Sequence, residues 1–337
     1  MRSTIRDIAE EAGVSVTTVS LVLRGVDGRT TEMTRQRVLE VAQRLDYLPV
    51  KPPTSQNRPL DTRIVTLVPE HRDMERHHLD MFTHQGVISG ARQHGYDVLT
   101  LVGQEPKQYI GREKSRYLDR RSDGFIFATT THGIWESALK VVAEHDIPTV
   151  VCYRQDVPPN VAFSDLDNAG AMRQAVHHLV ENGHERIAYL AGPLNNFNEQ
   201  ERRRGWVKAM LEAGLEVNDE VIVQGLASGF MPNPDAIASV SKLGVTAVVC
   251  YNDLAAVLLW DTLEQQGLKI PRDMSIIGMD NTTTSTMRGL STFTHSFADV
   301  GRLAMEAWVE LKNGGDAKSC SKLAPVVFIP RGSVRRF

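Results

Sequence analysis

The chain has 337 residues, 42% hydrophobic and 23% charged, the balance of a soluble globular protein of two or three domains rather than a disordered one. Cys152, Cys250 and Cys320 are odd in number and far apart. Neither a disulfide framework nor a structural zinc site is expected, and each reads as a small buried hydrophobe in a reducing cytoplasm. Formal net charge is −3, and residues 1–60 carry nine Lys/Arg against seven Asp/Glu, too slight an excess to argue for nucleic acid by itself. The first residues lack an apolar core and no run nears about 18 apolar residues, so neither a secretory signal nor a membrane span is expected.

Residues 1–48 read as three short helices. Thr4 with Asp7 resembles a capping box, Ile5, Ile8, Ala9 and Ala12 follow at helical spacing, and Gly13 is a stop. Ser15 opens a second helix with Val16, Val19, Leu21, Val22 and Leu23, ending at Gly25. Thr31 caps a third with Val38, Leu39, Val41, Ala42 and Leu45 as its stripe. Two helices on a tight glycine turn with a supporting third is helix-turn-helix geometry, against the blander reading of a small helical bundle. Residues 49–61, with four prolines among Ser, Thr, Asn and Gln, form a linker.

From residue 62 apolar runs alternate with helical periods. Ile64–Val68, Val98–Val102, Gly124–Ala128, Thr149–Tyr153, Ile187–Ala191, Ala247–Tyr251 and Ser275–Met279 read as buried strands. Val87–His94, Ala171–Glu181 and Leu254–Gln266 between them have helical spacing. The alternation predicts parallel α/β units in two similar lobes, with any ligand outside the carboxyl ends of the strands.

The motifs of common α/β enzymes are missing. There is no G-x-G-x-x-G, no Gly-Lys of a P-loop, no H-E-x-x-H and no G-x-S-x-G. The pairs His77-His78 and His177-His178 are adjacent residues about 100° apart on a helix, so neither makes a one-face metal site. No enzyme activity, metal or cofactor is expected.

Ile5–Leu23, IRDIAEEAGVSVTTVSLVL, resembles the DNA-binding helix-turn-helix of lactose-repressor-type (LacI/GalR family) regulators, and Thr34–Val38 and Leu45–Pro49 resemble its third helix and exit. In the body, HGYDV, DGFIF, DNAGA, HHLVENGHERIAYLAGP, RRRGW, YNDLAA, SIIGMDN and IPRGS, from His94 to Ser333, resemble the same family in order. The resemblance implies a helix-turn-helix head (residues 1–48), a hinge (49–61) and a periplasmic-binding-protein-like core of two Rossmann-like lobes (62–337), crossing near 162, 291 and 322. It implies a homodimeric regulator, a repressor by expectation, held on a near-palindromic DNA operator and controlled by a small-molecule effector. A solute-binding protein would share the body but would need an export signal and no DNA-binding head.

By the same resemblance Val16, Thr17 and Leu21 read bases, and Thr18 and Ser20 lie nearer phosphates. Ser15 caps the helix and turns its N-terminal end to the DNA backbone, and Arg24, Arg29 and Arg35 read either as phosphate contacts or as solvated surface. Val16 and Leu21 could instead be core; Val19, Val22 and Leu23 already supply an inward face, so exposure is expected. Leu21 replaces the Arg of many relatives and can only touch a thymine methyl or pack. The effector set is Asn196, Asn198, Arg202, Asn252, Asp280 and Phe297, whose hydroxyl-binding groups and stacking face suit a sugar or sugar derivative, or alternatively a purine or nucleoside. His78 and Leu79 stand where relatives often carry Pro and Phe, and Asp165 and Asp167 read as caps of the following helix. In the hinge, Pro52, Pro53 and Pro59 leave barely one helical turn, and Gln56 stands where relatives carry a leucine wedge, so less operator bending is expected.

Overall fold

The computed structural model describes residues 4–23, 30–45, 61–70, 78–102, 117–118 and 120–337. Arg24, Arg29 and the hinge with Gln56 lie outside these, as does the side chain of His78. The chain divides into two compact units, residues 1–59 and 60–337.

In the first unit, α1 (Ile5–Ala12) opens on a capping box: the Thr4 N–H donates to Asp7 Oδ2 at 2.6 Å, and the Asp7 N–H returns to Thr4 Oγ1 at 3.4 Å. Gly13, at φ 63°, ends it in the left-handed conformation that glycine adopts without penalty. α2 (Val16–Leu23) and α3 (Glu32–Arg44) follow. Ile8, Ala9, Ala12, Val19, Val22, Val38, Val41 and Ala42 bury one small core between the three. Leu39 departs from the expected stripe and is 46% exposed, because it sits about 100° round the helix from Val38.

The second unit holds two parallel sheets. The first has the order β11-β5-β4-β3-β1-β2, built from β1 (Ile64–Val68), β2 (Asp97–Thr100), β3 (Phe125–Ala128), β4 (Thr149–Cys152), β5 (Ala162–Leu166) and β11 (Lys322–Ala324). The second has the order β7-β6-β8-β9, from β6 (Ile187–Ala191), β7 (Ile222–Gln224), β8 (Ala247–Cys250) and β9 (Ser275–Ile277). β10 (Thr292–Thr294) and β12 (Val327–Ile329) pair antiparallel.

Strand alternation sends side chains to both faces of each sheet. Phe125 and Phe127 pack against α5 (Glu136–Glu144), while Ile126 and Ala128 face the core shared with α4 (His78–His94) and α11 (Phe297–Lys312). In the second sheet Ile187, Tyr189 and Ala191 share a core with Trp206 of α7 (Phe197–Glu212) and Met172 of α6 (Asn168–Glu181). Ala188 and Leu190 meet Ile237 of α8 (Pro234–Ser239) and Leu259 of α9 (Asp253–Gln265), and α10 (Thr283–Arg288) follows β9. α4 and α11 approach so closely that a Cβ on Gly301 would stand 2.1 Å from the Thr83 carbonyl oxygen, and one on Gly86 1.9 Å from that of Ala298.

The chain leaves the first sheet after β5, returns through α11 after β10, and leaves again between β11 and β12. Each sheet is doubly wound, with its order reversing beside its first strand, between β1 and β3 and between β6 and β8. At such a reversal the following loops splay apart and open a crevice.

Candidate functional site

In the head, Ser15 caps α2: its Oγ accepts from the Thr18 N–H at 3.0 Å and lies 2.9 Å from Thr18 Oγ1. The hydroxyls of Ser15 and Thr18 are therefore engaged with each other. Val16 is 45% exposed and Thr17 is exposed, while Ser20 and Leu21 are half-buried. Val19 and Val22, three apart on the opposite face, take the core. The side chains of Val16 and Thr17, at the N-terminal end where backbone N–H groups are unsatisfied, are those most open to an external ligand.

In the core, the loops that leave the carboxyl ends of β3 and β6 meet at the Thr131–Asn196 pair, and the strand ends beside this junction, where a doubly wound fold binds ligands, mark the candidate cleft. Arg202 is 4% exposed. Its Nε donates to Asn168 Oδ1 at 2.8 Å, its Nη1 to the Tyr251 carbonyl at 2.7 Å, and its guanidinium lies 4.7 Å from the centre of the Tyr251 ring. Asn198, one turn earlier, is buried and accepts from Asn168 Nδ2 at 3.1 Å. Asn196 caps α7 and also accepts from the Tyr251 hydroxyl at 3.3 Å. Asn252, following β8, caps α9 through the Ala255 N–H at 2.9 Å. Three of the expected contact side chains thus have an oxygen already committed to the protein.

Asp280 follows β9 of the second sheet, and Phe297 is the first residue of α11. Asp280 sits at φ 119° and Asn281 at φ 53°, conformations disfavoured for residues with a Cβ and characteristic of functional sites. They are held by the Asp280 N–H on the Phe293 carbonyl at 3.0 Å and by Arg331 Nη2 on Asn281 Oδ1 at 2.6 Å. Asp280 Oδ1 is 3.1 Å from His295 Nε2, and the His295 side chain is 4% exposed with Nδ1 buried and unbonded. The His295 ring stands 4.6 Å from that of Phe297, which also meets Tyr153 of the first lobe edge-on at 5.9 Å.

Two buried carboxyls underlie the cleft. Asp165 accepts from Gln155 Nε2 at 2.9 Å and the Leu166 N–H at 2.7 Å; burial nevertheless pushes its pKa up to about 7. Glu199 accepts from the Tyr189 hydroxyl at 2.9 Å and the Gly192 N–H at 2.8 Å, and burial likewise raises it to about 7. The pair expected as caps divides: Asp167 caps α6 through the Gly170 N–H at 2.9 Å, whereas Asp165 points from β5 into the buried polar layer. Leu79 packs half-buried on the first-lobe core.

Asn168, Glu199, Tyr251 and His295 were not among the expected contact residues. Asn168 and Tyr251 stand within motifs that carry the family resemblance, so a signal was present for both. Nothing in the local sequence marks Glu199 or His295, whose neighbours come from elements far along the chain.

A three-helix head with an exposed capped helix, in one chain with a two-lobed core whose strand ends carry polar side chains, defines the class of ligand-responsive DNA-binding regulators. Residues 79–307 match the model of periplasmic binding proteins and sugar binding domain of the LacI family, and residues 4–50 match that of bacterial regulatory proteins, lacI family. The chain belongs to the LacI family of transcriptional regulators, whose members are regulators rather than enzymes. It is similar to the HTH-type transcriptional repressor CytR of Escherichia coli (strain K12), 29% identical over 344 residues covering 99% of this chain and 96% of that repressor. Its fold is similar to that of a transcriptional regulator CelR–cellobiose complex, TM-score 0.65, with 23% identity over 98% of this chain and all of that one. It is also similar to a lac repressor dimer bound to operator and the anti-inducer ONPF, TM-score 0.64, with 22% identity over 99% and 100% of the two chains. No helix among the described residues is long and apolar enough to cross a membrane.

Proposed function

We propose that this protein is a homodimeric repressor that places α2 in the major groove of a near-palindromic operator and takes a small hydroxyl-rich effector, a sugar or sugar derivative, between its lobes. Val16, Thr17 and Leu21 meet base edges in this reading, and Ser15, Thr18, Ser20 and Arg24 serve the phosphates. Ser15 and Thr18 act chiefly by capping, which aims the N-terminal N–H groups of α2 at the backbone.

One observation carries the effector half: Arg202, Asn252 and Asp280 come from three elements to the carboxyl ends of the second sheet, where a doubly wound fold binds ligands. Asp280 supplies hydroxyl acceptors, Arg202 and Asn252 supply donors, and Phe297 supplies an apolar face. Asn196 and Asn198 shape the wall through Tyr251 and Asn168. The half-buried Phe297 ring also suits a base, which makes a purine or nucleoside the second reading.

A thermal-shift screen of sugars and nucleosides tests this. A true effector at 100 times its Kd adds about 2.7 kcal/mol of stability. Asp280→Ala should abolish that shift while leaving operator affinity without effector unchanged; an intact shift in the variant means the site is elsewhere. Failure of selected random duplexes to yield a symmetric site, with folded protein and the screened effectors present, would remove the DNA half.

A further inference from the structure

The loops that leave the central strands of the two sheets are joined backbone to backbone. The His132 N–H donates to the Asn195 carbonyl at 2.9 Å and the Phe197 N–H to the Thr130 carbonyl at 2.8 Å, so that Thr131 and Asn196 oppose each other as an antiparallel pair. Thr130 is anchored from the other side of the first-sheet reversal, its N–H and hydroxyl both donating to Glu70 Oε2 at 2.5 and 3.0 Å. The buried Phe197 ring completes the junction. It lies 3.8 Å from the His132 imidazole, centre to centre, and 4.7 Å from the Arg154 guanidinium. Arg154 is itself fixed by Glu136 at 2.7 Å and the Asp156 carbonyl at 2.6 Å.

The position of this junction matters more than its strength. β3 stands two places from β5 in the first sheet, about 10 Å from the strand after which the chain first crosses. A contact at a crossing turns with the hinge and leaves opening free. A contact displaced from it must break before the lobes can part. We propose that Thr130–His132 and Asn195–Phe197 form a clasp, sealed by Phe197 against His132 and Arg154, that holds the two lobes closed through this chain's own groups. Asn196 then stands between the two inter-lobe hydrogen bonds, with its side-chain oxygen accepting from the Tyr251 hydroxyl.

The clasp is tested on the full chain with no ligand added. Thr131 and Asn196 occupy a pair flanked by the two inter-lobe hydrogen bonds, a geometry with Cα atoms about 4.5 Å apart, within the reach of about 4.4–6.8 Å that a disulfide needs. The three native cysteines are buried. The variant Thr131→Cys with Asn196→Cys, exposed to oxidised glutathione, should join residues 131 and 196 within one chain in most molecules, read as a cross-linked peptide in an unreduced digest. Adding Phe197→Ala should slow the reaction about tenfold by removing the ring contacts. A variant with native circular dichroism that forms no such link overturns the clasp.

Amide exchange on the unmodified protein gives a second measurement that does not depend on the variant folding. The Phe197 N–H is the first of its helix and has no acceptor within it, and that of His132 lies in a loop. Both should exchange about a hundredfold slower than open-loop amides. Exchange of both at the open-loop rate overturns the clasp.

Discussion

The Nε–H of Arg202 donates to Oδ1 of Asn168 at 2.8 Å, tying the second turn of α7 to the first turn of α6. Asn168 is fully buried and donates in turn to Asn198. Arg202 is thereby oriented by the protein itself, its Nη1 also donating to the Tyr251 carbonyl, which lowers the ordering cost of any contact it makes.

Asn168→Ala should therefore cost about 2–3 kcal/mol of stability, because it strands a buried guanidinium N–H and the Asn198 oxygen together. Urea unfolding measures it. A loss below about 0.5 kcal/mol, the range of unremarkable surface changes, would show that Arg202 is not held in this way.

Asp165 and Glu199 make stability depend on pH in an unusual direction. Both have folded pKa values raised by burial to about 7, against about 4 in an unfolded chain. Between these limits the folded state binds more protons. Their contribution is complete below about pH 4 and is lost as pH rises towards 7, at up to about 1.4 kcal/mol per pH unit for each group. His184, lowered to about 4 by burial, works the other way and loses its contribution as pH falls from about 6.5. The comparison of variant with parent isolates one group. Asp165→Asn should gain about 2 kcal/mol relative to the parent between pH 5 and pH 8. A constant difference across that range would mean Asp165 titrates normally.

The α4–α11 contact predicts an intolerance to single methyl groups. Gly301→Ala would place a Cβ 2.1 Å from a backbone oxygen, which no side-chain rotation relieves. The expected loss is about 2–3 kcal/mol by overpacking, read as a lower urea midpoint. Gly214→Ala makes a poor control because Gly214 sits at φ 72°; Ala213, at an ordinary helical cap conformation, serves instead, and Ala213→Ser should be nearly silent.

In the head, capping, packing and reading separate by residue. Ser15→Ala should cost about 1 kcal/mol of head stability through the lost cap. Val19→Ala should cost about 1–3 kcal/mol through the core. Val16→Ala should leave stability within about 0.5 kcal/mol, as exposed positions do, while weakening binding to the selected operator. Melting of the head and gel-shift titration together measure all three. A Val16→Ala variant that melts early but binds normally would assign Val16 to packing.

Much of this protein was written locally. The three head helices follow from caps and periodicity within a dozen residues of one another, and Thr4, Ser15 and Gly13 act where they stand in sequence. All seven apolar runs became strands, and six of them are buried because continuous hydrophobicity demands burial on both faces. Val98–Val102 departs from the expected burial, since β2 is an edge strand whose residues are exposed or half-buried. The strands β5, β7, β10, β11 and β12 were not legible. Four of them are three residues long, and β5 carries Ser164 and Asp165 in its interior, so their pairing depends on neighbours that only the assembled sheet supplies. The cleft divides in the same way. Asp280 and Asn252 could be placed from the strands before them, since a strand end is a local feature. The union of Arg202 with Asn168, of Asp280 with His295, and of Thr131 with Asn196 joins residues 34, 15 and 65 positions apart. Such partners are set by how the helices and sheets pack, because a hydrogen bond is specified by the position of both groups and the sequence pattern specifies the surroundings of each one alone.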